Sequence, residues 1–287
     1  MDWLNAIVQG VLLGGLYALF AAGLSLIFGV MRLVNIAHGD LIVLAAYLAL
    51  STTILLGVHP LLAMLIVIPL MALIGYMLQR CVLNHTLGGD ILPPLLVTFG
   101  LSVIIQNALL EGYSADPQKL NVGDLETASV AVGGLSVGVL PLATFIVAIV
   151  VIVLLQWVFY HTAIGRQFRA VSDNADIAQL MGLNKGHIFG LALALSLAVC
   201  GIAGVLLGAR TSFDPAIGSG RLIFAFEAVI IGGLGNLWGT LAGGVVLGVA
   251  QTLGGKINPG WQVLAGHVVF LLVLAIRPRG FFPRVEH

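Results

Sequence analysis

Residues 33–40 read Leu-Val-Asn-Ile-Ala-His-Gly-Asp, which sets an amide, an imidazole and a carboxylate (Asn35, His38 and Asp40) side by side. Such a trio could exchange protons, but general acid–base catalysis needs a second group aimed at the same reacting atom. None recurs nearby, and catalytic clusters such as His-Glu-x-x-His or paired carboxylates are absent. Asn35 is instead a good N-cap for the apolar run that follows. Glu227 stands inside Leu222-Ile223-Phe224-Ala225-Phe226-Glu227-Ala228-Val229, with no charge nearer than Arg221. An ionisable group in so apolar a run faces a bundle interior or a cavity, because lipid does not solvate it. Cys81 and Cys200 lie in or beside apolar runs with no Cys or His at ligand spacing, so they read as packing residues and no metal site is expected. Gly255-Lys256 is followed by Ile257 and lacks the upstream glycine of a phosphate-binding loop. The chain reads as a non-enzyme with no cofactor.

The elements that position these residues follow from composition. Of 287 residues, 60% are hydrophobic and 8% charged, where an ordinary soluble domain carries about 25% charged residues. That excludes a soluble domain. A helix crossing the hydrocarbon needs about 20 apolar residues, which sets a ceiling of about eight or nine spans. The 37 glycines suit helices packed at close quarters. A barrel would alternate polar and apolar positions, and these runs do not. Apolar runs fall at 4–30, 41–58, 61–78, 91–110, 140–160, 188–208, 222–236, 239–254 and 261–276. The expected fold is an all-α polytopic membrane protein, one transmembrane domain over 1–287, with about 8–9 spans and a possible kink at Gly14-Gly15. No Lys or Arg precedes Arg32, so the first run reads as a retained span rather than a cleaved leader. Small-residue spacings such as Gly204-x-x-x-Gly208 and Gly244-x-x-x-Gly248 mark expected helix interfaces.

Twelve Lys and Arg balance twelve Asp and Glu, so no bulk field draws nucleic acid. Their distribution is uneven. Alternate loops collect Arg32, Arg80, Arg166, Arg169, Lys185, Arg277, Arg279 and Arg284 on one side, and Lys119, Arg210, Arg221 and Lys256 on the other. Cytoplasmic loops carry the excess of positive residues, which puts the N-terminus outside and the C-terminus inside. The outer loop, about 111–139, has a hairpin signal around Gly133-Gly134. The inner loop, about 161–187, holds Arg166, Arg169, Asp173, Asp176 and Lys185. There, Ser172 or Asp173 can cap a short helix that ends at Gly182. Ile177, Ala178 and Met181 would share its apolar face, which needs its own bundle or a partner to bury it.

The chain resembles the LivH-like permeases of branched-chain amino acid ABC importers. Asp176-Ile177-Ala178-x-x-x-Gly182 is similar to a degenerate Glu-Ala-Ala-x-x-x-Gly coupling signature. Gly165-Arg166-x-x-Arg169-Ala170, Asp173 and Gly182-Leu183-Asn184 keep the family spacing. So do the 33–40 block, Val229-Ile230-Ile231-Gly232-Gly233-Leu234-Gly235-Asn236-Leu237-Trp238-Gly239-Thr240, and Arg277-Pro278-Arg279-Gly280-Phe281-Phe282. The resemblance implies a permease of the bacterial inner membrane, moving leucine, isoleucine, valine or a related small amino acid. ATP-binding subunits would dock inside, a second permease subunit (a similar chain or a second copy) alongside, and a soluble substrate-binding protein outside. It implies that Arg166, Arg169, Asp173, Asp176, Ile177, Ala178, Met181 and Gly182 couple the permease to the ATPase. Asn35, His38, Asp40 and Glu227 become candidates for the translocation path. The alternative is an ion-coupled secondary transporter, with Glu227, Asp40 and His38 as proton or sodium sites.

Overall fold

A computed structural model describes residues 2–86, 92–132 and 135–282. Arg284, Gly133 and Gly134 lie outside the described residues. The helices are α1 (Asp2–Met31), α2 (His38–Leu56), α3 (Pro60–Cys81), α4 (Leu92–Tyr113), α5 (Val139–His161), α6 (Ala163–Asp173), α7 (Ala175–Leu180), α8 (Lys185–Arg210), α9 (Gly218–Gly232), α10 (Leu237–Ile257) and α11 (Gln262–Ile276). Before α5, β1 (Ser129–Val132) and β2 (Leu135–Gly138) pair antiparallel, with Ser129 opposite Gly138 and Val132 opposite Leu135. The hairpin signal is borne out by this pairing of the two β-branched stretches.

Among the described residues, eight helices are long and apolar enough to cross a membrane. The ninth apolar run becomes α9, whose 15 residues reach about 22 Å. That is less than the roughly 30 Å of the hydrocarbon core. α1 and α8 are the most enclosed spans, while α11 leaves nearly all its length uncovered. Leu65 on α3, Leu96 on α4, Leu154 on α5 and Leu271 on α11 are exposed, as expected of lipid-facing positions.

α1 continues as helix through Gly14-Gly15. The two glycines sit in an interface. A Cβ on Gly14 would lie 2.5 Å from the Cα of Val245, and one on Gly248 would lie 2.3 Å from the Gly10 carbonyl. The glycines let α1 and α10 meet backbone to backbone, where packing rather than hydrophobicity drives association. Gly14→Val is accordingly expected to destabilise the fold by about 3 kcal/mol, the upper range for overpacking a tight core. A fall in detergent-solubilised melting temperature would register it, and an unchanged melt would show that the two helices can part.

The helix ends form two rims. At one, Gln118 bridges to Phe213, Gln9 Nε2 donates to the Ser136 carbonyl at 2.7 Å, and Lys256 approaches Asp2 at 3.9 Å. At the other, Asn84 Nδ2 donates to the Gly186 carbonyl at 3.3 Å and Ser172 Oγ to the Gly29 carbonyl at 2.6 Å. The basic residues expected inside that fall within the described chain lie on the second rim or on the segments leading from it. The positive residues thus mark that rim as cytoplasmic.

One connection returns into the bundle. After α1 ends, residues 32–37 run without helix, and Leu33, Asn35 and Ala37 are buried. α2 starts against the middle of α1 and of α8, because His38 packs on the Phe20 carbonyl and on Cys200. Irregular backbone at that depth is tolerated where protein surrounds it.

Candidate functional site

The inner loop is built by caps. Thr162 Oγ1 accepts from Gly165 N at 3.1 Å to start α6. Gly165 presses on α5 so closely that a Cβ would lie 2.1 Å from the Val158 carbonyl. Phe168 and Val171 turn inward, and Ser172 ties α6 to the end of α1. The chain breaks at Asn174, whose Oδ1 accepts from Asp176 N at 3.1 Å and Ile177 N at 3.0 Å to start α7. The expected cap at Ser172 or Asp173 is thus corrected to Asn174. Two helices replace one because Ser172 is engaged with the Gly29 carbonyl and Asp173 closes α6.

α7 ends as expected at Gly182. There φ is +89°, Leu183 N donates to the Ala178 carbonyl at 3.1 Å and Gly182 N to the Gln179 carbonyl at 3.0 Å. That is the paired bonding of a Schellman motif. Asn184 then caps α8 by accepting from His187 N at 3.0 Å. Each end of this six-residue helix is fixed by its own sequence.

What α7 presents differs from the sequence expectation in one residue. Ala178 is only 5% exposed, while Ile177 is 58%, Leu180 87% and Met181 80% exposed. Ala178 points into its own fold. The open apolar face is Ile177, Leu180 and Met181, at i, i+3 and i+4. Arg166, Asp173 and Asp176 are exposed around it, Asp176 lying 3.6 Å from Lys185. Arg169 does not join that rim. Its guanidinium donates to the Phe159 carbonyl and lies 5.3 Å from the centroid of the Tyr160 ring.

The 33–40 block forms a second cluster. Asn35 Oδ1 accepts from Ala37 N at 3.0 Å, closing the turn one step before α2, so its cap acts on the entry rather than on α2 itself. His38 Nε2 lies 2.8 Å from the Phe20 carbonyl, which can only accept, so that nitrogen carries a proton. Asp40 accepts from Ser102 Oγ at 2.6 Å and Gln106 Nε2 at 2.9 Å. Gly39 and Gly218 leave room for the start of α9, since a Cβ on Gly218 would lie 2.0 Å from Asp40 Oδ1. All three polar side chains are fully enclosed. They join the start of α2 to α1, α4 and α9.

Glu227 does not join them. It is buried on α9 and bonded to His267 Nδ1 of α11, whose ring stacks on Phe224. Tyr17 packs on the same Phe224 at 5.0 Å and donates to Gln251 Oε1 at 2.6 Å. The four proposed path residues therefore form two separate clusters. Sequence reasoning missed Leu180, Ser102, Gln106 and His267. The available signals were a Ser and a Gln one helical turn apart on α4, and a lone His in an apolar run answering a lone Glu in another. Among the described residues no three His, Cys, Asp or Glu side chains gather as a metal group.

Residues 6–276 match the family model described as branched-chain amino acid transport system / permease component. The high-affinity branched-chain amino acid transport system permease protein BraD of Pseudomonas aeruginosa is 28% identical, over 99% of this chain and 97% of that protein. LivH of Escherichia coli K12, with the same description, is 27% identical over 99% and 96%. The fructose import permease protein FrcC of Rhizobium meliloti is 28% identical over 85% and 69%. A solved structure, PsaBC from Streptococcus pneumoniae in complex with Fab, covers 94% of this chain and 91% of that one at 17% identity and a TM-score of 0.49.

Proposed function

This chain belongs to the permease-component family of branched-chain amino acid transport systems, and on that premise we propose that its cargo is a branched-chain or related small amino acid. It is the permease subunit of an ABC importer, a multi-pass protein of the inner membrane rather than an enzyme, and ATPase subunits power it. Full-length similarity to BraD and LivH supports the amino acid cargo over the sugar named for FrcC. By the same likeness a second permease subunit stands beside it, and a soluble binding protein delivers cargo outside.

The observation that carries the mechanism is the apolar tip Ile177, Leu180 and Met181 on a doubly capped helix at the positive rim. Water is a poor neighbour for three adjoining large apolar side chains, and a groove on a partner is a good one. We place this tip in a groove of the ATPase, with Arg166, Asp173 and Asp176 on its rim. Ala178 and Gly182 then act from behind, by packing and by the exit turn. Closure of the ATPase pair pushes α7, and the push reaches α1 through the Ser172–Gly29 bond and α5 through Gly165.

Asn35, His38 and Asp40 in this reading hold the junction of α2 with α9 beside the path, and Glu227 holds α9 to α11. The experiment is vesicle uptake of labelled leucine by the assembled complex, with ATP, with a proton gradient alone, and with fructose as competitor. Uptake that requires ATP, ignores fructose and survives Glu227→Gln to within about tenfold is expected, a tenfold change being 1.4 kcal/mol. Uptake by this chain alone on an ion gradient would sink the proposal.

A further inference from the structure

A cavity of about 310 Å³ opens between the cytoplasmic ends of α1, α5 and α10, and of its lining the coupling reading uses only the Gly29 carbonyl. Ser25 on α1 forms part of its wall. That residue is 1% exposed and its hydroxyl has no hydrogen-bond partner among the described residues. Gln156 on α5 also lines the cavity, and Arg169 supplies its charge. No acidic residue lines it, and no carboxylate pairs with Arg169 among the described residues. One carbonyl and one ring engage that guanidinium, whereas its five N–H donors suit a bidentate oxyanion.

The position says which anion. Ser25 lies about 9 Å from the cytoplasmic end of α1 at 1.5 Å per residue, a depth comparable to the headgroup layer that borders the hydrocarbon core. Tyr160 and Trp238 line it and are exposed, amphipathic rings at the depth where they border lipid headgroups. We propose that this cavity binds the phosphate of an anionic phospholipid of the inner leaflet. Arg169 holds the phosphate, Ser25 and Gln156 bond the groups below it, and the acyl chains leave past Tyr160 and Trp238. A basic pocket between spans on the cytoplasmic side is a recurrent headgroup site. Here the bound lipid would join α6 to α1 and α10, so the charge of the leaflet would tune the stiffness of the coupling loop.

The test uses the whole complex, purified with its ATPase subunits and washed in detergent with phosphatidylcholine. Native mass spectrometry then reads retained phosphatidylglycerol, and co-elution of the ATPase subunits reports folding of each variant. Wild type is expected to keep one phosphatidylglycerol per copy of this chain. Arg169→Gln should lower its preference over phosphatidylcholine about fivefold, the loss of one basic residue near a lipid surface, and Arg169→Lys should restore most of it. Gln156→Trp should remove the lipid by filling the cavity without touching the charge. Equal retention by wild type, Arg169→Gln and Gln156→Trp would overturn the proposal. So would displacement of the lipid by millimolar inorganic phosphate, which would make this a site for a free anion.

Discussion

Leu180→Glu and Met181→Glu are expected to leave the permease inserted and folded while transport fails. Both side chains are almost wholly exposed, so a carboxylate there meets water in the free subunit and costs the fold little. In the groove of an ATPase it would be buried without a partner, at about 3 kcal/mol, and association would weaken about a hundredfold. Leucine uptake in vesicles and co-purification of the ATPase subunits should therefore fall together. Ala178→Glu makes the informative contrast. That carboxylate would enter the permease itself, so melting temperature falls along with transport. Full uptake by both tip variants would move the docking surface away from α7.

The contrast also explains what was legible beforehand. The glycine exit could be read, since Gly182 acts on its immediate neighbours, but the cap could not: Ser172, Asp173 and Asn174 are all capping types, and only the Ser172–Gly29 contact moves the start of α7 to Asn174. Which face of α7 turns outward could not be read either. Apolar residues usually mark the inward face, and on that rule Leu180 would belong inside. On α7 the rule is reversed, its largest apolar residues outside and its alanine inside, as the proposed docking role would require. Pattern identified Ile177 and Met181, and only packing against the rest of the loop separates Leu180 from Ala178. The polar clusters failed for another reason. His267 lies 40 positions beyond Glu227, and Ser102 lies 62 beyond Asp40. Neither pairing follows from local spacing, because both depend on how α4 and α11 dock. The span count was open at nine runs because α9 starts inside the bundle, as α2 does, and composition cannot tell a full crossing from a short one.

The start of α2 is where the second large effect is expected. Asp40→Leu would strand the Ser102 and Gln106 donors and push a branched side chain toward Gly218, where even a Cβ has no room. The stranded donor of buried Ser102, at about 1–3 kcal/mol, a smaller cost at half-buried Gln106 and the overpacking against Gly218 would together remove a substantial part of a domain's stability. The variant should therefore fail to accumulate as an assembled complex, by detergent size exclusion. Asp40→Asn is nearly the same shape. Its carbonyl oxygen still accepts from one donor, and the Ser102 hydroxyl can turn to accept from the new amide. The lost charge-assisted bond then costs about 1 kcal/mol, so assembly survives and uptake stays within about tenfold of wild type. That pair of results separates two roles for one carboxylate. If Asp40 acts by bonding α2 to α4, shape and hydrogen bonding are enough and Asn serves. If its negative charge meets the cargo's ammonium group on the path, Asp40→Asn assembles normally yet loses uptake as completely as Asp40→Leu. The enclosed geometry of Asp40, with both oxygens already engaged, favours the first outcome.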